Sequence, residues 1–496
     1  MNFMNALENS LSNSSYTENG ARGYASTGHA LLDMNFKVPS YRGADEEKIF
    51  DDFCEAFREN QILALRWLFY ARDIRGGGLG ERSLFRIIMS RLAADKPTLA
   101  KALIPLIPEY GRWDDVVALV DCPEVRDSVI ELIREQFHHD LFEFGEENGK
   151  ISLLAKWLPS ANASSRETRR RAKIIYHGLG LTEFSYRKYL STLRKRLRVV
   201  ERDMSANKWD KIDYSAVPSK ASLIYKDAFR RHDSERYEDF LKRVESGEAK
   251  INAGTLFPHE IARQYNFNKL VFESINPTLE ALWKNLPNVV PPEAATLVVS
   301  DTSGSMEGRP LEVSLALSVY FAERLRGVFK NKFITFSSRP NFIDLSGEDT
   351  LLSKLARAYY FSDCSNTNIE RVFELILNLA RENHLSQADI PRNILIISDM
   401  EFDANAFNAE ERLFDSIAKR FEQAGYILPR IVFWNVASHT NTIPLRNGPN
   451  GVVLVSGYSP NTMKMVTSGE FDPYKCLVET LMAPRYNAVA EVLQKI

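Results

Sequence analysis

The sequence predicts a multi-domain chain, an all-α helical-repeat domain followed by an α/β doubly wound domain. Three observations carry the prediction. From Glu46 onward apolar residues recur at spacings of three and four, with hardly any strand signal before about residue 290. Four prolines then fall within INPTLEALWKNLPNVVPPEAA (275–295), a composition that suits a linker. Beyond them, short runs that are apolar throughout alternate with amphipathic segments, the pattern of a parallel sheet covered on both faces. At 496 residues the chain exceeds one typical core, so two or three domains are expected.

Residues 1–45 are rich in Asn, Ser, Gly and Thr and read as a flexible or extended arm. Residues 46–285 read as the helical-repeat domain. Its first pattern runs through Phe50, Phe53, Phe57, Ile62, Leu65, Leu68 and Phe69. RDIRGGGLGERS (72–83) interrupts it, and Leu84, Ile87, Ile88 and Leu92 begin another helix. Leu99–Ile107, Trp113–Val120, Val125–Phe144 and Leu153–Trp157 follow. Such a succession suggests HEAT-like stacked helix pairs with degenerate repeats. Residues 286–496 read as the α/β domain. Its expected strands are 295–300, 332–337, a short partner at 341–344, 393–399, 430–436 and 451–455. Helices are expected at 311–325, 369–383, 409–424 and 460–467.

Ligands of doubly wound sheets bind beyond the carboxyl ends of the strands. Asp301, Ser303 and Ser305 of LVVSDTSGSMEGRP (297–310) lie just past the first strand. Asp399 ends NILIISD, and Thr367 precedes the helix that begins near Asn368. Hard oxygens without His or Cys suit Mg²⁺, and also Mn²⁺ or Ca²⁺. Two carboxylates neutralise a divalent ion, and the hydroxyls coordinate without adding charge. Mg²⁺ keeps waters, which leaves a position open to a partner's carboxylate. The competing reading is an Asp-Ser turn that caps a helix, with Pro310 in its first turn. Glu401 and Asp403, just past Asp399, could add charge to the site or simply be solvated, and the solvated reading is the favoured one.

The net charge is −2, so no global charge points to nucleic acid or membrane. Local charge does differ: from Lys156 to Arg202 there are thirteen Lys or Arg against three acids. Arg166, Arg169, Arg170, Arg171 and Lys173 form one cluster. Arg187, Lys188, Arg194, Lys195 and Arg198 fall largely off the apolar stripe of Leu190, Leu193, Leu197, Val200 and Met204. Such a face is a candidate surface for RNA phosphates. Tyr176, His177, Tyr186 and Tyr189 lie nearby and could stack on bases. The alternative is a solvated face balanced by acids such as EFGEE (143–147).

The oxygen pattern resembles the metal-ion-dependent adhesion site of the von Willebrand factor A fold. Asp301-x-Ser303-x-Ser305, Thr367 and Asp399 stand in that family's order at strand ends. The resemblance implies that the serines and threonine touch the metal and that the aspartates often act through water. A helical array before such a domain resembles the Ro autoantigen family, whose helical TROVE module forms a ring closed by an A domain. More closely, the chain is similar to an uncharacterised TROVE-like family of bacteria, phages, plants and large viruses. RDIRGGGLGER (72–82), PEYGRWDDV (108–116), KWLPS (156–160), WDKIDYSAVPSKA (209–221) and the A-domain motif carry that likeness, which covers most of the chain after the arm. Ro proteins bind misfolded and small structured RNAs, which implies a ribonucleoprotein scaffold here.

Other chemistry finds little support in the sequence. RGGGLGERS (75–83) lacks a Walker A ending and follows a helix, so a tight turn is expected and no nucleotide cofactor. There is no HExxH, GxSxG or Cys/His arrangement, and nothing requires an enzyme. Cys54, Cys122, Cys364 and Cys476 form no CxxC pair, which argues against a zinc site or disulfide framework and suits a reducing, cytoplasmic setting. The N-terminus lacks signal-peptide character, and no run approaches ~20 apolar residues, so no membrane span is expected. The expectation is a non-catalytic RNA-binding scaffold that also holds a protein partner through its metal. The alternative is a protein-interaction scaffold without RNA.

Overall fold

The computed structural model describes residues 13–197, 199–291, 295–362, 365–404, 411–448, 450–466 and 472–494. The layout is helical first and α/β second, but the compact units are discontinuous in sequence. One comprises residues 1–45, 52–60 and 253–481; the other comprises 46–51, 61–252 and 482–496. One division falls at 45/46, where the sequence boundary lies, and the later one falls at 252/253 instead of near 285.

The first unit is built on a six-stranded sheet. Two short strands, β1 (Ser15–Tyr16) and β2 (Arg22–Gly23), pair with each other near the N-terminus. The sheet comprises β3 (Thr296–Asp301), β4 (Lys332–Phe336), β5 (Pro340–Asp344), β6 (Asn393–Ser398), β7 (Arg430–Asn435) and β8 (Val452–Ser456). Its order is β5-β4-β3-β6-β7-β8, parallel except for β5, which runs antiparallel to β4 at the edge. The helix Arg309–Arg324 packs on β3, β4 and β6, which accounts for the burial of one face of those strands. The chain leaves β3 toward β4 and β5, then crosses back to place β6 on the other side of β3. The carboxyl ends of β3 and β6 thus flank the switch point of the sheet, where a crevice opens in folds of this type. The helices Leu351–Tyr360 and Pro473–Leu481 were not expected from the pattern. The expected helix 409–424 is described as Leu413–Gln423, its start at Ala409 lying outside the described residues, as does the Thr467 end of the 460–467 helix.

The N-terminal segment is not a flexible arm over its described part. The helix Ala30–Phe36 buries Leu31, Leu32, Met34 and Phe36 and packs on β8. Its carbonyls reach the strand ends: Asn435 Nδ2 donates to Phe36 O at 2.9 Å, and the Ser456 hydroxyl donates to Asn35 O. The proline-rich stretch is likewise structured over its described part. Pro277 opens a helix to Lys284, and the Asn276 side chain accepts from the Thr278 and Leu279 amides. Trp283 is buried, with its Nε1 donating to Glu323 Oε2 at 2.7 Å. Proline at a first helical turn is pre-set for helix, so four prolines need not make a linker.

The second unit is a succession of helices. Gln61–Arg72, Arg82–Asp95 and Pro97–Leu103 pack in series, and Ser219–His232 packs on Ser234–Glu245. The glycine-rich interruption is a structural joint. A side chain on Gly78 would place its Cβ 2.0 Å from Tyr70 O, so only glycine allows that approach. Arg72 and Asp115 form an ion pair at 2.8 Å with both side chains almost fully buried. Arg75 donates to Gly111 O, and Asp73 pairs with Arg485 from the C-terminal return. Tyr486 stacks on Tyr110 with ring centroids 5.8 Å apart. RDIRGGGLGER and PEYGRWDDV are thus two sides of one joint. In WDKIDYSAVPSKA, Tyr214 packs among Phe229, Tyr237 and Phe240 and donates to Asp233 Oδ2 at 2.7 Å. Among the described residues no helix is long and apolar enough to cross a membrane.

Candidate functional site

The loop after β3 begins at a buried carboxylate. Asp301 accepts from the Ser303 amide on Oδ1 at 2.9 Å and from the Ser398 hydroxyl on Oδ2 at 2.5 Å. The first bond closes the turn after β3, and the second ties the ends of β3 and β6 together. The Ser303 and Ser305 hydroxyls lie 3.2 Å apart. Gly308, at φ +84°, then turns the chain into the helix that holds Pro310 in its first turn. The capping geometry and the oxygen cluster therefore coexist. The Gly304 amide donates to Ser365 O at 2.8 Å, which draws the loop carrying Thr367 to the same edge.

Asp399 follows β6 directly. Its Oδ1 accepts from the Glu401 amide at 3.1 Å, whereas Oδ2 is buried without a hydrogen-bond partner. Burial and the neighbouring Asp399 push the Asp301 carboxyl up to about 7, and burial raises Asp399 as well. Among the described residues no Lys or Arg pairs with either carboxylate. Between Asp399 and Glu401, Met400 adopts φ +68°, a left-handed conformation that costs a non-glycine residue about 1–3 kcal/mol. Its amide is held by the Ser398 hydroxyl at 2.8 Å. An unsatisfied buried carboxylate oxygen and local backbone strain at one strand end mark a site shaped for something other than packing.

The cluster fits a hard divalent cation: two carboxylates without an internal counter-cation, and adjacent hydroxyls. Asp301, Ser303, Thr367 and Asp399 are buried and Ser305 is half-buried. Among the described residues no three His, Cys, Asp or Glu side chains gather in metal-holding geometry. The five-residue set contains only two such side chains and relies on hydroxyls for the rest.

Glu401 is not solvated. It is fully buried, and its carboxylate accepts from the amides of Glu18, His439 and Thr440 and from the hydroxyls of Ser438 and Thr440. These bonds knit the loops after β6 and β7 to the N-terminal segment. Asp403 is half-buried and accepts from the Thr367 amide at 3.2 Å. Both acids organise the rim of the cluster.

The basic candidates fare unevenly. Arg194 is half-buried and donates to Ala155 O, Leu158 O and the Ser160 hydroxyl at 2.8, 2.7 and 3.0 Å. It therefore holds the KWLPS segment in place. Arg170 and Arg171 share Asp121, and Arg171 also pairs with Glu167. Arg169 caps Ala163 O and Ser164 O, and Arg187 approaches Glu183 at 3.8 Å. Arg166, Lys173, Lys188 and Lys195 are exposed and make no ion pair among the described residues. Arg198 lies outside the described residues, as does Cys364. The expected single stripe is also broken, because one helix ends at Arg196 and the next begins at Val200. Tyr176 and Tyr186 are core residues, and Tyr186 donates to Pro159 O at 2.9 Å. Only His177 and Tyr189 of the four aromatic candidates are exposed.

Comparison with known proteins bears on both halves. Residues 295–482, which carry the sheet and the oxygen cluster, match a family described as Domain of unknown function (DUF7788). Residues 176–289 match Domain of unknown function (DUF2828). "Uncharacterized protein L728" of Acanthamoeba polyphaga mimivirus is 29% identical over 506 residues, covering 95% of this chain and 88% of the viral protein. The chain is thus similar, nearly end to end, to an uncharacterised protein of a large virus.

Two residues of the site are not singled out from the sequence, Ser398 and Asn19, whose Nδ2 donates to Thr367 Oγ1 at 3.1 Å, and Glu401 is singled out without its buried role. Ser398 was signalled by its place at the end of an apolar strand beside Asp399. Asn19 lies 348 residues from its partner, and no local pattern marks it.

Proposed function

We propose that the chain is a non-catalytic scaffold of the TROVE-like plus von Willebrand factor A kind. Its sheet-bearing unit binds a divalent cation, Mg²⁺ foremost, through Asp301, Ser303, Ser305, Thr367 and Asp399. A bound cation would supply an electrophilic centre for a carboxylate of a protein partner. The observation that carries this reading is Asp399 Oδ2, buried without a geometric hydrogen bond beside a second carboxylate, with the neutral Ser305 hydroxyl near enough to favour its charged form. Asp301 orients the loop through Ser303 and Ser398, and the paired serine hydroxyls present neutral oxygens. The test is a thermal melt with Mg²⁺ or with chelator: the wild type should gain stability with Mg²⁺ and Asp399→Asn should not. Equal melts in both conditions for the wild type would refute the reading.

RNA would bind the exposed cations Arg166, Lys173, Lys188 and Lys195, with Arg169 and Arg187 at the margin, and affinity would fall steeply with salt. A second reading, a protein scaffold without RNA, draws on the internal engagement of Arg170, Arg171 and Arg194. A structured RNA shifted by the RNase-treated protein at low salt supports the first reading; no shift supports the second.

A further inference from the structure

The turn Thr17–Ala21 lies along the rim of the oxygen cluster and makes a continuous set of bonds to it. Thr17 Oγ1 donates to Phe402 O at 2.6 Å, and the Glu18 amide donates to Glu401 Oε2 at 2.9 Å. The Ala404 amide donates to Asn19 O at 3.0 Å, and Gly20 bridges Asp403. The turn is closed on itself by the Ala21 amide, which donates to Thr17 Oγ1 at 2.8 Å, and Gly20 supplies its φ of +85°. This framework leaves the Asn19 amide group with two targets. Nδ2 donates to Glu401 O at 2.6 Å and to Thr367 Oγ1 at 3.1 Å.

We propose that Asn19 is an outer-shell positioning residue of the cation site, supplied by the N-terminal segment to orient the Thr367 hydroxyl. The inference rests on the cation-binding reading above. A hydroxyl ligand must keep one lone pair directed at the ion. A donor fixed on the other lone pair sets the rotamer and leaves the hydroxyl hydrogen pointing elsewhere. An amide does this without adding charge beside the ion, which a Lys or Asp in its place would do. Outer-shell partners of metal ligands act through orientation, and their loss weakens binding by about 10-fold or more. Asn19 itself is exposed, so truncating it removes little packing. The site is thus composite, drawing on Asn19 near the start of the sequence as well as on residues 301–399.

The experiment is a Mn²⁺ titration, by calorimetry and by the electron paramagnetic resonance signal of free Mn²⁺, on the full-length wild type, N19A, T367A and the double variant, with melting curves for each. The expected result is binding about 10-fold weaker in N19A, weaker binding in T367A, and a double variant no weaker than T367A alone. Unchanged Mn²⁺ affinity in N19A overturns the inference, even if its melting temperature falls, since that assigns Asn19 a structural role alone. Fully additive losses in the double variant also overturn it, because Asn19 would then not act through Thr367. A wild type that binds no Mn²⁺ removes the cation-binding reading and this inference together. Normal wild-type binding with an unaltered N19A removes only the inference.

Discussion

The oxygen cluster and the basic helices were both marked by composition, yet folding treats them differently. At the sheet edge the topology brings together side chains from three separate loops and leaves a carboxylate oxygen unsatisfied. On the helices, several charges that look available are already bound to the chain's own oxygens. Arg194 sits on two carbonyls and a hydroxyl, and Arg170 and Arg171 share one aspartate. Charge density along a helix reports where cations lie but not whether they are engaged. Strand-end position in a doubly wound sheet carries more information, because the switch point limits where polar residues at those ends can go.

The sharpest way to break this contrast is to mutate adjacent basic residues. Arg194→Ala should lower the unfolding free energy by about 3 kcal/mol, since it strips charged donors from buried carbonyls. Lys195→Ala should change it by less than about 0.5 kcal/mol. Urea denaturation of the two variants side by side checks this, and equal effects would erase the distinction between engaged and available charges. At the oxygen cluster, Mg²⁺ at 100 times its dissociation constant should stabilise the wild type by about 2.7 kcal/mol, and Asp399→Asn should abolish that gain.

A smaller effect follows from pH. The Asp301 carboxyl is raised by burial and by Asp399, so in metal-free protein the proton stabilises the fold. That contribution is fully present below the unfolded pKa and is lost as pH rises through about 7. On the proposed reading a cation would replace the proton, so the melting shift produced by Mg²⁺ should be larger at pH 8 than at pH 6. Melting curves at the two values, each with and without Mg²⁺, measure it; a larger shift at pH 6 would contradict the assignment. Least visible in stability is reversal of Arg166, Lys173, Lys188 and Lys195 to Glu. Folding should be unchanged, while the slope of log affinity for RNA against log salt should fall by about 0.7–0.9 per phosphate contact removed. An unaltered slope would place any RNA elsewhere.

Much of the C-terminal sheet was legible because its strands are short, apolar and bounded by helices. All six of its strands begin and end within a residue of the expected runs, and the antiparallel edge β5 was visible as a short partner to β4. The oxygen residues were legible because they stand at strand ends. Other features depended on distant pairing. Helix Ala30–Phe36 is too short to show periodicity, and its place on β8 appears only in three dimensions. Glu401 looks like any acid after a strand until five donors from two distant segments surround it. Tyr186, by contrast, could have been assigned to the core, because it continues the Leu190 and Leu193 stripe at a spacing of four.

The central claim is that Asp399 Oδ2 awaits a cation. Calorimetric titration of Mn²⁺ into chelator-stripped protein at pH 8 tests it most directly, with Asp399→Asn as the control. The account predicts saturable binding of a single ion in the wild type and none in the variant. Binding that survives intact in Asp399→Asn, or no binding in a folded wild type, would contradict it.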